Sequence, residues 1–337
     1  MPVSPNLRRA VAPPDLLPKM DPTSSDPTAP CIVVLGSLNM DLLLRVPRAP
    51  AAGETLLGHA IDYLPGGKGG NQAVSCARQG ARVRMLGCVG DDAYGRTLRE
   101  TLGLDGIDTA GVQIDVHEAT GVALVMVDDS GQNRIVVVPG ANGSVHFDEA
   151  ALAQQLHGAA FLLVQFETPE SQVRRALEVA ARMGCRVLLN PSPAAEMPAD
   201  FWPQVDTLVV NEIEAQVLGG LPVRGPAEAA AAARALRARG SARVVVTLGA
   251  QGAVAADAQG CRHHPARRVE AVDTTAAGDT FLGAFAVALA DASPFDEAVQ
   301  LGIRAAALCV ARPGAQPSIP NRAAVLRSPL PPDWIDL

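Results

Sequence analysis

Short apolar runs recur along the chain at residues 31–36, 83–89, 161–165, 186–190, 207–211 and 243–248. They are rich in Val and Leu, and each ends in glycine or a polar turn, which is the pattern of strands covered on both faces. Segments of helical composition lie among them at 71–78, 170–183, 226–239 and 279–289. Several stop at a glycine (Gly80, Gly184, Gly240), where a left-handed cap is wanted. Strands alternating with helices predict an α/β fold: a doubly wound, mainly parallel sheet flanked by helices, with ligands at the carboxyl ends of the strands.

Two stretches break this rhythm, 42–63 and 113–138. In the second, Gly121 to Val127 and Arg134 to Val138 flank Asp128-Asp-Ser-Gly131 as a hairpin, and no long helix separates these strands. A small β-sheet lid over the ligand end of the body is the economical expectation. Residues 1–30 hold eight prolines and no period of 2 or 3.6, so they read as a flexible extension. The body is expected over 31–326, with a C-terminal tail at 327–337. The alanine run at 229–233 reads as an exposed helix.

With 48% apolar residues and a net charge of only −7, the chain is expected to bury a sizeable core. Acidic residues (35) outnumber basic ones (28) and no Lys or Arg run exists, so nucleic acid is not an expected partner. The apolar stretch 281–290 is about half of the ~20 residues a bilayer span requires, and no membrane partner is expected. Leu16-Leu17 is followed at once by Pro18 and Lys19, too short for a secretory core, which points to the cytoplasm. Six cysteines without a C-x-x-C pair suit neither a zinc site nor a disulfide framework and read as small buried residues. His263-His264, before Pro265, reads as solvated loop, and no Ser-His-Asp order stands out.

The sharpest candidate is Asp273-Thr-Thr-Ala-Ala-Gly-Asp279-Thr-Phe281, where small residues lead directly into an apolar helix. The amides of Ala276, Ala277, Gly278 and Asp279 are then first-turn donors without helical partners, an anion site by construction. Asp279 itself has two readings: a reactive carboxylate, or an N-cap and dipole partner. The loop Gly66-Gly-Lys-Gly-Gly-Asn-Gln72 lets backbone approach a ligand closely. It is neither a Walker loop, since Gly69 follows the lysine, nor a dinucleotide fingerprint, since Gln72 stands at the last glycine position. Asn39 and Asp41, two apart on the first strand, point the same way and either hold two hydroxyls or cap a turn. Asn211-Glu-Ile-Glu214 reads as a capped helix start or a ligand group, and it joins Gln165-Phe-Glu167 and Thr247-Leu-Gly-Ala-Gln-Gly252 at carboxyl ends of strands. The turn Arg312-Pro-Gly-Ala-Gln-Pro-Ser318 offers carbonyls that either ligate a hard cation or only turn the chain.

Taken in order, Gly36-Ser-Leu-Asn-Met-Asp41, Gly53-Glu-Thr55, the glycine loop through Ala73, Gly90-Asp-Asp92, Thr120-Gly-Val122, Asn211 to Glu214, Asp273 to Phe281 and Gly314 to Ser318 resemble the ribokinase family of sugar kinases. The resemblance runs from about residue 31 to about residue 326. It implies a doubly wound sheet with a β-lid that forms a homodimer contact. It implies that Asn39, Asp41, Gly67, Lys68, Asn71 and Glu167 contact the sugar and that Asp279 is the base. It implies further that Asn211, Thr247, Gly249, Gly252 and Gly278 line the ATP site, with Ile303 beside the adenine, and that Glu214 helps to place Mg2+ through water. A monovalent cation, K+, is implied at Asp273, Thr275, Cys309, Arg312, Gly314 and Ser318. Two positions depart from the family pattern: Ile303, where many relatives carry a polar or aromatic residue, and Pro313, where a lysine is expected.

The expected activity is ATP-dependent phosphorylation of the primary 5-hydroxyl of D-ribose. The rivals are a kinase of fructose, of a keto-deoxy sugar acid or of a nucleoside, and a catalytically silent sugar-binding regulator. A silent regulator should have lost Asp279 or the glycine turn, and both are present. A nicotinamide-dependent dehydrogenase lacks its fingerprint after the first strand.

Overall fold

The computed structural model describes residues 28–337, so the expected extension lies outside the described residues as far as residue 27. Its last residues are held by Arg82, whose backbone N donates to Pro30 O and whose Nε donates to Ala29 O, each at 3.0 Å. The chain then forms β1 (Cys31–Leu35), leaves the body as β2 (Asn39–Val46) and β3 (Ala60–Gly66), and returns through α1 (Lys68–Arg78), β4 (Arg82–Gly90), α2 (Ala93–Leu104) and β5 (Val112–Asp115). A second excursion makes β6 (Gly121–Asp128) and β7 (Asn133–Val138). Regular alternation follows with α3 (Glu149–Leu156), β8 (Phe161–Gln165), α4 (Glu170–Met183), β9 (Arg186–Asn190), β10 (Thr207–Asn211), α5 (Glu212–Gly219), α6 (Pro226–Arg237) and β11 (Arg243–Thr247). The chain finishes with β12 (Ala253–Asp257), β13 (Gly260–His264), α7 (Ala277–Ala290), α8 (Phe295–Val310), α9 (Arg322–Arg327) and β14 (Ile335–Asp336).

The large sheet has ten strands in the order β14-β13-β12-β11-β10-β9-β8-β1-β4-β5, parallel from β11 through β5 and antiparallel at the β12 to β14 edge. Along β1 the period of 2 sends Val33 and Leu35 into the core under α3 to α6, and Ile32 and Val34 into the core under α1, α2, α7 and α8. Burial on both faces is why the run is apolar throughout. Strand order reverses at β1, with β4 on one side and β8 on the other, so the crevice at their carboxyl ends is the topological switch point where such sheets bind ligands. The lid is a second sheet of four strands, β3-β2-β6-β7, rooted beside that crevice.

Several expectations are corrected. Residues 113–115 belong to β5, which pairs with β4 in the large sheet, so the lid's second part begins only at Gly121. Asn39 and Asp41 sit on β2 of the lid rather than on the first strand. Helix α1 starts at Lys68 because Gly67 (φ 82°) supplies a left-handed turn that only glycine adopts cheaply, and α7 starts at Ala277. The alanine run is only half exposed: Ala229, Ala230 and Ala233 form the buried stripe of α6. His264 is not solvated loop: strand alternation on β13 turns it inward, with its ring 5.8 Å from that of Trp334 and 3.0 Å from the Asp296 carboxylate. Burial lowers its pKa to about 4. All six cysteines are free and buried.

Helices α1 and α7 run side by side in the same sense. Ser75 Oγ donates to Thr280 O at 2.9 Å, and a Cβ placed on Gly283 would lie 2.3 Å from the Ser75 side chain. Gly283→Ala is therefore expected to cost about 1–3 kcal/mol by overpacking. At Gly103, on an open face of α2 with nothing within 4 Å of a Cβ, the same change should gain about 0.5–1 kcal/mol. Chemical denaturation of both variants checks the opposite signs.

Candidate active site

The two glycine-rich helix starts meet at Asp279. Its Oδ2 accepts from Asn71 Nδ2 at 3.1 Å and its Oδ1 from Gln72 Nε2 at 3.0 Å, so the carboxylate faces α1 rather than capping its own helix. Gln72 Oε1 in turn accepts from Gln165 Nε2 at 2.6 Å. The turn before α7 is strained, with Ala276 left-handed at φ 60°. One expected free amide is spent, because this turn folds the chain back and Ala277 N donates to Thr274 O at 3.2 Å. The amides of Gly278 and Asp279 have no backbone partner among the described residues.

Around this centre the sequence-predicted sugar residues converge. Glu167, just past β8, accepts from Ser37 Oγ in a short hydrogen bond and from Lys68 N at 3.4 Å. Asn39 Oδ1 accepts from Asn142 Nδ2 at 2.8 Å, which leaves Asn39 Nδ2 as the end open to a ligand. Asn142 Oδ1 also accepts from Leu38 N at 2.8 Å, so a single buried amide fixes both the strand and its side chain. A Cβ on Gly66 would lie 2.1 Å from Asp41 Oδ2, and one on Gly67 would lie 2.7 Å from Asn39 N. The glycines thus admit the carboxylate and the strand rather than merely turning the chain.

The charges are unbalanced. Burial pulls the Lys68 ammonium down, yet Asp279, Glu167, Glu214 and Asp41 together hold it above its ordinary value. Burial, then the charges of Glu167 and Asp279, push Asp41 up to about 7, against the pull of Lys68. Four carboxylates share one ammonium.

Asn211 and Thr247 are register partners at the ends of β10 and β11, and Gly249 (φ 51°) and Gly252 (φ 91°) bend the loop that follows. Asn211 and Glu214 form a reciprocal capping box at 2.8 and 2.9 Å, and Asn190 Nδ2 donates to Glu214 Oε2 at 3.2 Å. Burial raises the Glu214 pKa. Ile303 is buried in the core beneath α8. Asp273 ties two loops together, accepting from Thr275 N and from Gly314 N, each at 2.9 Å. Although burial opposes it, these bonds and the charge of Arg45 hold Asp273 below the usual carboxylate range. Cys309 Sγ lies 3.0 Å from Ser318 Oγ, which donates to Ala315 O, and Arg312 N donates to Cys309 O at 3.0 Å while its side chain stays exposed. A cavity of about 1210 Å³ opens between the lid residues Leu43, Arg45 and Tyr63 and the loops of Asp273 and Gly314.

Sequence reasoning placed Ser37, Gln72 and Gln165 in candidate segments without giving them a role, and it missed Asn142. Each makes its decisive bond to a residue 93 to 207 positions away, a pairing that no local pattern encodes.

Residues 30–322 match the pfkB family carbohydrate kinase. The chain belongs to this family. It is 40% identical over 298 residues to a ribokinase of Haemophilus influenzae, covering 88% of this chain and 97% of that protein. It is also 40% identical over 303 residues to a ribokinase of Schizosaccharomyces pombe, covering 86% and 95%. A solved Arabidopsis thaliana ribokinase, complexed with ribose and ATP, superposes with a TM-score of 0.83 at 32% identity over 89% of this chain and 98% of that one. The doubly wound, mainly parallel sheet with a β-lid, expected from the strand and helix rhythm, is thereby shown as the fold of this family.

The position of Asp41 in this pfkB kinase has a stability consequence. The folded chain keeps a proton on it up to about pH 7, whereas the unfolded chain releases that proton near 3.8. The folded state then binds more protons over that window, so stability falls as pH rises from about 4 to about 7. Asp41→Asn is expected to raise Tm relative to wild type more at pH 8 than at pH 5. Scanning calorimetry at both values checks this, and equal shifts contradict it.

Proposed function

We propose that the chain transfers the γ-phosphoryl group of ATP to the 5-hydroxyl of D-ribose, giving D-ribose 5-phosphate and ADP. The observation that carries this reading is the convergence of Asn71, Lys68, Glu167 and Asp41 around Asp279, in a chain 40% identical to ribokinases. Asn39, Asp41, Gly67, Lys68, Asn71 and Glu167 hold the sugar hydroxyls, each by a short polar side chain or a backbone group. Asp279 orients the 5-hydroxyl and takes its proton. Phosphoryl transfer is mostly positioning and charge stabilisation, so a base held in place matters more than a strong one. The partnerless amides of Gly278 and Asp279, at the positive end of α7, face the oxygens on which charge spreads, and the Ala276 and Ala277 turn shapes that cradle.

Asn211, Thr247, Gly249 and Gly252 line the nucleotide side, whereas the burial of Ile303 in the core does not support a direct adenine contact. The surplus of carboxylate over ammonium suits cations. Glu214 shares the field of Lys68 and would help to hold Mg2+, which would supply charge neutralisation at the nucleotide phosphates. Hard oxygen donors at Asp273, Thr275, Cys309, Arg312, Gly314 and Ser318, several of them backbone, suit K+, and Asp273 already draws the two loops together. A second copy covers the lid, whose edge strand β7 exposes Ile135, Val136, Val137 and Val138, an apolar edge that invites pairing. The reduced, buried cysteines support a cytoplasmic setting.

ADP release over a sugar panel tests the reading. D-ribose is expected to exceed D-fructose and free nucleosides in kcat/KM by at least ~10²-fold, because a dry site built to pair with hydroxyls rejects ligands that leave them unpaired. Comparable efficiency on fructose, or preference for a nucleoside, overturns the substrate. Asp279→Asn should lower kcat by ~10²–10⁴ and leave ribose binding nearly intact; turnover near wild type removes the base. Potassium should raise turnover over that in a large organic cation, and equal rates count against the cation loop.

A further inference from the structure

We propose that Gln72 and Gln165 form a two-residue amide relay that fixes the carboxylate of Asp279 in its working orientation, which makes both of them positioning residues for the transfer. This rests on the reading of Asp279 as the group that takes the hydroxyl proton. Both glutamines are fully buried, at 0% exposure, and come from different elements, Gln72 from the first turns of α1 and Gln165 from the last position of β8. Neither reaches the cleft, so neither bonds a sugar or a nucleotide. Their polar groups point instead along one line: Gln165 Nε2 to Gln72 Oε1 at 2.6 Å, then Gln72 Nε2 to Asp279 Oδ1 at 3.0 Å.

The polarity of that line is set from its far end. An ionised carboxylate only accepts hydrogen bonds, so Gln72 must offer Asp279 its NH2 and turn its carbonyl away. That buried carbonyl needs a donor, and the Gln165 NH2 is the donor it has. The two ends of a carboxamide are nearly the same size, so nothing steric stops Gln72 from flipping; the Asp279 carboxylate opposes the flip by oxygen–oxygen repulsion, and Gln165 adds to the unflipped state by satisfying the carbonyl that Gln72 turns away. Gly36 leaves the room this requires, since a Cβ there would lie 2.0 Å from Gln165 Oε1. Asn71 holds the other carboxylate oxygen from the sugar side, and the relay holds the first one from the protein side. Because β8 also leads into Glu167, the same strand end that grips the substrate steadies the group that acts on it.

A double-mutant cycle tests the relay in the full-length enzyme. Gln72→Leu and Gln165→Leu are each expected to lower kcat by about 10-fold or more while KM for ribose and for ATP stays within about threefold. The double variant should lose little beyond Gln72→Leu alone, because the two side chains act as one unit. A rise in ribose KM with kcat kept, or losses that multiply, overturns the proposal. If Gln72→Leu does not fold, Gln165→Leu carries the same kinetic test, since it leaves Gln72 beside Asp279. Asp279→Asn serves as the control. An active Asp279→Asn overturns the role of Asp279, whereas an inactive one beside fully active glutamine variants overturns the relay alone.

Discussion

The site depends on how closely α1 and α7 approach each other. Gly283 removes the side chain that would hold the helices apart, and Ser75 closes the gap with a hydrogen bond to the Thr280 carbonyl. Because the helices run in the same sense, both amino-terminal ends arrive at one place, each with its dipole and its unspent backbone donors. Asp279 from one helix then falls between Asn71 and Gln72 of the other. Had the helices packed a side chain further apart, the glycine loop, the carboxylate and the free amides of Gly278 and Asp279 would each exist without meeting.

Charge is the second organising feature. The protein is net acidic, with a formal charge of −7, and its candidate site gathers four carboxylates about one lysine while being proposed to handle a polyanionic nucleotide. Such a site repels its own substrate unless cations accompany it. The acidic residues at the strand ends leave a negative field that favours cations, and Asp273, held below the usual carboxylate range, adds its charge where two loops meet.

The parallel strands were legible because burial on both faces leaves an unbroken apolar run; residues 161–165, 186–190 and 207–211 match their observed limits. Helix starts were less so. Lys68 begins its helix inside a glycine-rich turn, where intrinsic propensity argues for loop and tertiary packing overrules it, and at the start of α7 Gly278 hides a beginning that Ala277 favours. The lid was visible as a break in rhythm, yet residues 113–115 look like lid and pair with β4, since a short strand carries no mark of its sheet. His264 was misread because the groups packed against its ring, Asp296 and Trp334, lie on segments far along the chain. Within the site the motifs were found, but the residues that act through a distant partner drew no role: Gln165 although its segment was singled out, and Asn142 because no motif contains it.

Ala276 occupies a backbone conformation that costs a non-glycine residue on the order of 1 kcal/mol, at the turn that aims the free amides of Gly278 and Asp279. Glycine would sit there without strain. It would also give the unfolded chain more conformations to lose, by a comparable free energy, and leave the folded turn free to wander. The methyl group therefore exchanges comfort for stiffness at almost no net cost in stability. The aim of those amides is secured by a penalty on the unfolded ensemble rather than by any contact visible in the folded one.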